Sequence, residues 1–400
     1  MSKLDELIAE FCPDGVEYRR VGDIADYEQP SKYLVKSTDY NDNFEIPVLT
    51  AGQTFILGYT NEKEGIYNAS PEKPVIIFDD FTGAFKWVDF PFKAKSSAMK
   101  MITSKSDVLI RYLYHLMGFL NYSSDEHKRL WISVYSELQV PVPHLEVQRE
   151  IVHILDSFTL LTAELTAELT ARKKQYEFYR DNLIKKEQHI SEVKKLADVA
   201  NIYDSLHQTP SYSNSGYSMV RVQDIKGGYV DEDKTLKVDE SVWNLFTQKY
   251  TPRLNDIVVS RVGSYGNFAL IPNDKCCLGQ NVALIHPNIN PKYLYHVLMS
   301  TMTKQWINNN VKGASQKSFS LADIKRVPVP VPKENIQQRI AEVLDNFEAI
   351  CTDLNIGLPA EIEARQKQYE YYRDLLLTFA ETSSTLMTDR QTDRQTDRQS

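Results

Sequence analysis

Residues 140–158 read VPVPHLEVQREIVHILDSF, and residues 329–347, which start 189 positions later, read VPVPKENIQQRIAEVLDNF. The match resumes in residues 171–181 (ARKKQYEFYRD) and 364–374 (ARQKQYEYYRD), where the offset is 193. The second copy is therefore four residues longer between the two matching blocks. Self-similarity over such a period indicates two related structural units, and the chain reads as variable half, repeat, variable half, repeat.

Each repeat begins with an extended Pro-Val-Pro stretch, because proline lacks the amide hydrogen and restricts the residue before it. A helix is predicted to follow, since apolar residues then recur at the spacings of a coiled-coil seam. The seam residues are Ile151, Leu155, Phe158, Leu165, Leu169, Tyr176, Tyr179 and Leu183 in the first copy, and Ile340, Leu344, Phe347, Leu354, Leu358, Tyr369, Tyr372 and Leu376 in the second. Neither helix can bury its seam alone, so we expect the two repeats to pair in antiparallel orientation.

The two helical repeats differ at one place. Residues 162–169 form the tandem TAELTAEL in the first copy, whereas the second copy has Gly357, Leu358 and Pro359. Glycine past a helix end and proline at a helix start are typical of helix termini, so the second repeat is predicted to break into two helices. The tandem is predicted to act as a spacer, because four more helical residues would add about 6 Å of rise.

The variable halves have the pattern of mixed α/β domains. Short β-rich runs such as residues 75–78 and 256–260 are bounded by turn-forming residues, and a helical pattern follows at residues 292–308. We predict an α+β protein with a pseudo-twofold internal repeat, in which two mixed α/β domains are separated by a pair of long antiparallel coiled-coil regions. The predicted ranges are 1–140 and 191–326 for the domains, 141–190 and 327–381 for the helical repeats, and 382–400 for a disordered tail.

The charge is unevenly distributed along the chain. The net charge of −8 argues against simple binding to nucleic acid. Residues 191–326 hold 16 basic and 12 acidic residues, a net of +4, whereas residues 1–140 hold 15 and 21, a net of −6. Any grip on nucleic acid is therefore expected to be shared with a more basic partner. No apolar run reaches the roughly 20 residues of a membrane-spanning helix, and acidic residues stand where a signal peptide would be apolar, so a cytoplasmic protein is expected.

The sequence lacks the motifs of several enzyme classes. It has no GxxxxGK(S/T) loop for ATP, and its nearest match to the base-binding turn of an adenine methyltransferase, residues 290–293 (NPKY), lacks the second proline. That segment is better explained as a helix start, with Asn290 as the cap and Pro291 after it. Residues 231–234 (DEDK) have the residue types of a nuclease site but the setting of a solvated turn. No zinc motif includes any of the four cysteines, which are Cys12, Cys276, Cys277 and Cys351. We therefore expect no catalytic activity, cofactor or metal of its own.

Loops rich in Arg, Gln, Asn, Ser, Gly and aromatic residues are the candidate nucleic-acid contacts. Arginine can bind guanine through two hydrogen bonds, Asn and Gln suit adenine, and glycine lets the backbone approach a phosphate. The candidates in the second half are Arg221, Gln223, Arg261, Ser264, Tyr265, Gln280, Asn281, Lys312, Gln316 and Lys317. Those in the first half are Thr82, Lys86, Trp87, His127, Lys128 and Arg129. Asp79 and Asp80 occupy the place of Ser260 and Arg261 in the other half. If they contact nucleic acid they would accept from cytosine or repel wrong bases, and a structural role is the alternative. For the Arg261 loop the alternative is a hairpin turn with a solvated arginine.

These motifs resemble the repeated region of type I restriction-modification specificity subunits. The resemblance rests on Pro-x-Pro before Gln-x-x-Ile and Leu-Asp-x-Phe, and on residues 358–365 (LPAEIEAR) and 367–374 (KQYEYYRD). It implies two target-recognition domains that each read half of a bipartite double-stranded DNA site, and helical repeats that dock two methyltransferase subunits. A restriction subunit would join that assembly. The tandem at residues 162–169 departs from the family pattern, so strict symmetry of the two helical repeats is not expected.

Two other functions also fit the sequence. The chain could be a stand-alone sequence-specific DNA-binding regulator, or a scaffold that uses its helical repeats without binding DNA. In the tail, the tetrad TDRQ occurs three times in residues 388–399. An ACAG tetranucleotide repeat read in triplets would encode this tetrad, so we hypothesise a slippage-prone tract in the gene. Sequencing the gene from many colonies tests this, and mixed codons or an invariant length would rule it out.

Overall fold

The computed structural model describes residues 2–52, 54–122, 129–311, 318–353 and 356–379. The chain divides into two compact units: the first draws on Met1–Ala163 and Ala364–Ser400, and the second on Glu164–Glu363. Each unit thus combines one variable half with parts of both helical repeats. The tetrad tail and five predicted contacts lie outside the described residues, those contacts being His127, Lys128, Lys312, Gln316 and Lys317.

The first unit contains two sheets and a separate pair of strands. Its four-stranded antiparallel sheet has the order β2 (Ala25–Glu28), β8 (Met99–Ser104), β5 (Val75–Asp79), β6 (Phe85–Val88). Its three-stranded sheet has the order β4 (Ile56–Thr60), β3 (Ile46–Leu49), β7 (Lys93–Ala94), with β3 and β7 parallel. The separate antiparallel pair is β1 (Glu17–Arg20) with β9 (Gln139–Val142). The helices of this half are α1 (Lys3–Phe11), α2 (Val21–Ile24), α3 (Ile110–Leu120) and α4 (Leu130–Ser133).

The second unit repeats this arrangement strand for strand. Its four-stranded sheet has the order β11 (Ala200–Asp204), β17 (Val282–Pro287), β14 (Ile257–Ser260), β15 (Phe268–Leu270). Its three-stranded sheet has the order β13 (Leu236–Val238), β12 (Tyr217–Val220), β16 (Cys276–Leu278), with β12 and β16 parallel. The separate pair is β10 (Glu192–Lys195) with β18 (Pro328–Val331). The helices of this half are α6 (Leu196–Val199), α7 (Glu240–Thr247), α8 (Pro291–Met299), α9 (Thr301–Asn310) and α10 (Leu321–Arg326).

The continuous apolar runs belong to inner strands that are covered on both faces. In β5, Ile76 and Phe78 point into the core that contains α3, while Val75 and Ile77 point into a second core on the other face. Successive strand residues face opposite sides, so a strand between two cores must be apolar throughout. The predicted strands at residues 75–78 and 256–260 are therefore confirmed, and with them the mixed α/β fold class.

The predicted helical pattern at residues 292–308 is confirmed, and it is divided between two helices. The segment forms α8 and α9, which are separated at Ser300. Ser300 is fully buried and extended, and its hydroxyl accepts a hydrogen bond from the Thr303 N–H at 3.3 Å. A serine cap of this kind competes with continued helix. The predicted cap at Asn290 is confirmed, because its side chain accepts from the Tyr293 N–H at 2.9 Å.

The helical repeats differ as the sequence predicts. The first forms α5 (Leu145–Ile190), a single helix of 46 residues, whereas the second forms α11 (Glu334–Thr352) and α12 (Leu358–Leu377). At Gly357 between them, a Cβ atom would lie 2.6 Å from the carbonyl oxygen of Asp353, so only glycine fits there. Despite the length of α5, neither it nor any other described helix has an apolar stretch that could cross a membrane.

Within each unit the two repeats pack against each other. In the second unit the rings of Tyr179 and Phe347 lie 5.5 Å apart, and Cys351, further along α11, interacts electrostatically with Lys173, earlier in α5. Moving to higher residue numbers along α11 therefore means moving to lower residue numbers along α5. The two helices are antiparallel, as predicted. In the first unit Phe158 stacks on Tyr372 of α12 at 5.2 Å.

Candidate nucleic-acid interface

In the second unit, two predicted contact segments emerge at the same end of one sheet. Strands β12 and β16 are parallel, so Arg221 and Gln223, which follow β12, lie beside Gln280, which follows β16. The two segments are joined by the Gly279 N–H, which donates to the carbonyl of Val220 at 2.8 Å. The fold therefore brings together residues that are far apart in the chain.

The loop after β14 joins the same edge through its main chain. The N–H of Arg261 donates to the carbonyl of Asn281 at 2.8 Å, and the N–H of Phe319 donates to the carbonyl of Arg261 at 2.8 Å. Two glycines in the loop have a φ of +74°, a conformation that side chains rarely adopt. The loop also carries Ser264, which is exposed, and Tyr265, which is half-buried.

The side chains at this edge are held by residues that the sequence reasoning missed. The Arg261 guanidinium pairs with the Asp204 carboxylate, whose other oxygen lies 3.2 Å from Nε2 of His207. The side-chain amide of Gln280 donates to the hydroxyl of Thr209 at 3.3 Å. All three missed residues lie in or just after β11. Asp204 and Thr209 stand more than 50 positions before Arg261 and Gln280, so local spacing gave no signal for these contacts.

Arg221 is oriented in a similar way. Its Nε and Nη2 atoms donate to the two carboxylate oxygens of Asp224 at 3.1 and 3.2 Å. This bidentate contact fixes the plane of the guanidinium. In the amide orientation that satisfies its neighbours, the Gln223 oxygen accepts from Nη1 at 3.1 Å and Nη2 at 2.8 Å. Since a guanidinium has five N–H donors, one N–H on Nη1 remains for a ligand. The edge thus presents two oriented arginines beside the amides of Gln280 and Asn281.

In the first unit the structure brings together only some of the predicted contacts. The β5–β6 turn with Thr82 lies against the segment around residue 130, because a Cβ atom at Gly83 would be 3.6 Å from the Leu130 side chain. Thr82 and Arg129 are both exposed there. Lys86 and Trp87 lie further along β6, where the Arg111 guanidinium is 4.7 Å from the Trp87 ring.

The acidic pair of the first unit has a structural role. The Asp80 carboxylate lies 3.1 Å from the Lys100 ammonium, and both side chains are 1% exposed. The same carboxylate accepts a hydrogen bond from the Trp131 N–H at 2.9 Å, and Asp79 accepts from the N–H groups of the turn that follows it. Asp80 is therefore buried away from any ligand, which supports the structural interpretation of these acids.

A buried glutamine, present once in each helical repeat, joins that repeat to the variable half before it. The glutamine of each Gln-x-x-Ile motif is buried, and its amide bridges two segments. Gln148 accepts from the Leu109 N–H at 2.9 Å and donates to the Pro143 carbonyl at 2.8 Å. Gln337 likewise accepts from the Asn290 N–H at 3.1 Å and donates to the Pro332 carbonyl at 2.8 Å. This bridge gives the shared motif its physical reason, since a buried amide must satisfy both its donor and its acceptor.

A buried histidine makes a further contact between the first variable half and the helical repeats. We call the cluster of His115, Tyr369 and Asp156 the histidine junction of the first unit. His115 of α3 has Nδ1 at 3.0 Å from the Tyr369 hydroxyl and Nε2 at 2.9 Å from Oδ1 of Asp156. A carboxylate only accepts, so Nε2 carries the proton and Nδ1 of the neutral ring accepts from the tyrosine. Burial lowers the pKa of His115, which favours this neutral form. Burial alone would raise the pKa of Asp156, but hydrogen bonds from His115 and Arg111 bring it below its ordinary value.

The second unit contains the same junction with one addition. His296 of α8 lies 3.0 Å from the Tyr176 hydroxyl and 2.8 Å from Oδ1 of Asp345. Glu348 adds a third potential metal ligand, since its carboxylate, the Asp345 carboxylate and the His296 imidazole each offer a ligand atom, and these atoms lie within 4.8 Å of one another. The Lys292 ammonium, 3.1 Å from Asp345, already supplies a cation there.

Glu348 has a partner of its own. The Tyr295 hydroxyl donates to its carboxylate at 2.9 Å and accepts from the Gly228 N–H at 2.6 Å. Burial raises the pKa of Glu348. At the matching position of the first repeat stands Thr159, whose hydroxyl donates to the carbonyl of Leu155 at 3.1 Å. The two junctions are therefore alike in their histidine, tyrosine and aspartate and differ at this position.

Two matching α/β domains with different loops, each anchored to duplicated helical repeats, define a class of two-domain recognition protein. Residues 13–172 and 190–364 match the family model of the type I restriction modification DNA specificity domain. The chain is 44% identical over 401 residues to a type I restriction enzyme specificity subunit of Escherichia coli, covering 95% of this chain and 97% of that one. The chain belongs to the family of type I restriction-modification specificity subunits, as its motifs predict.

Solved structures support the fold. The S subunit of a type I restriction-modification system from M. genitalium is similar with a TM-score of 0.54 at 12% identity, over 90% of this chain and 96% of that one. A chain from a structural study of complex assembly and conformational transition in a type I system has a TM-score of 0.50 at 14% identity, over 91% and 98% of the two chains. At such identities the likeness concerns the fold alone.

Proposed function

We propose that this chain is the DNA-recognition component of a type I restriction-modification complex. It reads a bipartite double-stranded DNA site and directs methyltransferase and restriction subunits, which do the chemistry, to that site in the cytoplasm. Residues 1–140 and 191–326 are its target-recognition domains, and residues 141–190 and 327–381 are its helical repeats. One observation carries the proposal: the two domains have the same strand order, but their corresponding loops carry different side chains. A rigid scaffold with different loops suits the reading of two different half-sites.

In the second domain the proposed contacts that follow β12, β14 and β16 lie at one edge of the described structure. Arg221 and Arg261 suit guanine, and the amides of Gln223, Gln280 and Asn281 suit adenine. Ser264 and Tyr265 are proposed to position the backbone of the DNA at this edge. Lys312, Gln316 and Lys317, outside the described residues, are proposed further contacts to phosphates and bases. In the first domain Thr82 and Arg129 are the proposed centre, and the remaining candidates are Lys86, Trp87, His127 and Lys128.

The helical repeats are proposed to dock two methyltransferase subunits. Phe178 and Tyr371 occupy the same position of the repeated motif, two residues after Tyr176 and Tyr369, and are 63% and 65% exposed. Large exposed aromatic side chains are typical anchors of protein interfaces. Because the anchor occurs once in each repeat, two copies of the same partner would bind in equivalent ways.

Mapping modified adenines in a host that carries this chain and its methyltransferase subunit tests the proposal. We expect modification within one motif, made of two short defined sequences separated by a fixed gap. Absence of modification, together with tight sequence-specific binding by the chain alone, would instead favour the stand-alone regulator. Absence of any dependence on DNA would favour the scaffold.

A further inference from the structure

The two histidine junctions each use a residue from the opposite repeat. His115 of the first domain meets Asp156 of the first repeat, but its tyrosine partner, Tyr369, comes from the second repeat. The second unit has the reverse pattern, with His296 and Asp345 joined by Tyr176 of the first repeat. Each target domain is therefore hydrogen-bonded to both repeats within its own unit.

The agreement between the two junctions is close. The tyrosine–histidine distance is 3.0 Å in both units, and the histidine–aspartate distances are 2.9 and 2.8 Å. A cation four residues before each histidine pairs with the same aspartate, at 2.7 Å for Arg111 and 3.1 Å for Lys292. Both imidazole rings are fully buried. Two occurrences of the same atoms in the same roles indicate that the geometry itself is required.

A buried imidazole fixes orientation when both of its nitrogens are bonded. Nε2 is bonded to the repeat that follows the domain in the chain, and Nδ1 to the other repeat. Loss of the tyrosine hydroxyl would leave Nδ1 buried without a donor, whereas the ring would keep its packing. The domain would then remain attached through one repeat and be free to tilt against the other.

We propose that Tyr176 and Tyr369 are positioning residues that fix the orientation of each target domain on the helical repeats. They thereby restrict the gap between half-sites that the complex accepts, without reading any base. This inference rests on the proposed recognition of a bipartite site. It assigns the choice of gap to two hydroxyl groups as well as to helix length.

The test uses the complex of the full chain with its methyltransferase subunits. Duplexes carry both mapped half-sites with the preferred gap, or with one base pair more or fewer, and affinities are measured by competition. The variants are Tyr176→Phe and Tyr369→Phe. The matched controls are Tyr179→Phe and Tyr372→Phe, which remove a hydroxyl one turn away, from rings that pack on Phe347 and Phe158.

We expect the wild type and both controls to discriminate strongly between gaps. Tyr176→Phe and Tyr369→Phe should each lose discrimination by about five- to tenfold, the effect of one lost hydrogen bond, and keep the base preference of both half-sites. Discrimination is a ratio of affinities, so partial unfolding of a variant does not change it. Unchanged discrimination in both variants, or an equal affinity loss at every gap, would overturn this inference. Neither result would count against the proposed recognition of a bipartite site. A wild type without any gap preference would overturn the bipartite recognition on which it rests.

Discussion

Asp80 and Arg261 occupy the same position in the two units, yet their side chains carry opposite charges. The carbonyl of each accepts a main-chain hydrogen bond from a distant segment, from the Leu130 N–H at 2.7 Å for Asp80 and from the Phe319 N–H at 2.8 Å for Arg261. Each side chain has its own counter-charge, which is Lys100 for Asp80 and Asp204 for Arg261. The first pair is buried and the second borders the proposed DNA surface, so substitutions at the two positions should have different effects.

We predict that Arg261→Ala relaxes base preference at one position of the second half-site. The loss should be roughly 1–3 kcal/mol for the preferred sequence, because a guanidinium that reads a base contributes only when that base is present. Lys317→Ala should instead weaken all sequences alike and reduce the salt slope by about one. Competition binding at several salt concentrations measures both effects.

Asp204→Asn is the control for this prediction, since it frees the guanidinium without removing it. We expect it to keep the base preference and to raise affinity for all sequences, because it removes a negative charge beside the DNA. Equal, sequence-independent losses from Arg261→Ala and Lys317→Ala would show that the base-reading loop lies elsewhere.

Lys100→Met should strongly destabilise the first domain. It leaves the Asp80 carboxylate buried without its cation, a situation that typically costs about 3–5 kcal/mol. Urea denaturation of the chain measures the free energy of unfolding. Lys234→Met is the matched control, because Lys234 is 72% exposed in its pair with Asp231 and should contribute little. Similar small changes in both variants would contradict the prediction.

Glu62 predicts a specific pH dependence of stability. Burial alone would raise the pKa of Glu62, but hydrogen bonds from Lys93 and from the N–H groups of Ser37 and Lys36 lower it from 4.5 to about 2. A lowered pKa stabilises the fold above the ordinary pKa, and this stabilisation is lost as the pH falls through the lowered value. Glu62→Gln should therefore be less stable than wild type near neutral pH.

The difference between wild type and Glu62→Gln should shrink as the pH falls from about 4.5 toward 2. Denaturation at a series of pH values measures it. Glu64→Gln, at an exposed neighbouring position, should lack this trend. A difference that grows on acidification would mean that Glu62 does not hold its ionised form through these contacts.

Phe178 and Tyr371 predict the stoichiometry of the complex. Phe178→Ala or Tyr371→Ala alone should leave a complex with one methyltransferase subunit, and the double variant should bind none. Native mass measurement of the reconstituted complex counts the subunits. Leu160→Ala is the control, because Leu160 is 62% exposed but the matching position of the second repeat carries only the small side chain of Ala349. Loss of both subunits from either single variant would contradict two independent docking sites.

A third TAEL unit inserted after residue 169 should lengthen the gap between half-sites by about one base pair. Four helical residues add about 6 Å and about 400° of rotation, a net of about 40°. One base pair adds about 3.4 Å and about a tenth of a turn, so the rotation nearly matches. Mapping of modified sites measures the gap. Insertion of Gly-Ser-Gly-Ser, which interrupts the helix, is the control and should abolish a defined gap. A constant gap, or a changed half-site, would show that the helix is not the spacer.

Short-range features of the fold could be predicted from the sequence, because their causes are local. The break at Gly357 follows from a helix terminus motif, and the strand at residues 75–78 from an apolar run between turn residues. Ser300 could have been recognised as a cap only by weighing it against the apolar periodicity around it. That competition is decided by burial, which the sequence does not state.

Long-range partners could not be predicted, since they depend on strand order and register. Asp204 reaches Arg261 only because β17 lies between β11 and β14. Lys100 meets Asp80 only because β8 lies beside β5. In both cases the charges are visible in the sequence, but nothing in the local pattern connects them. The repeated Tyr-x-x-His pattern before each Pro-Val-Pro stretch was a usable signal for the histidine junctions.

The two helical repeats do not offer a target domain the same contacts, because Glu348 of the second repeat is replaced by Thr159 in the first. A domain transplanted from the second place to the first would bring Tyr295 to a repeat that offers Thr159, whose hydroxyl already donates to its own helix. The transplanted tyrosine would lose its buried acceptor, whereas the Gly228 N–H that donates to its hydroxyl would move with the domain. The helical repeats thus favour one order of the two domains along the chain. This preference does not depend on the loops that are proposed to contact DNA.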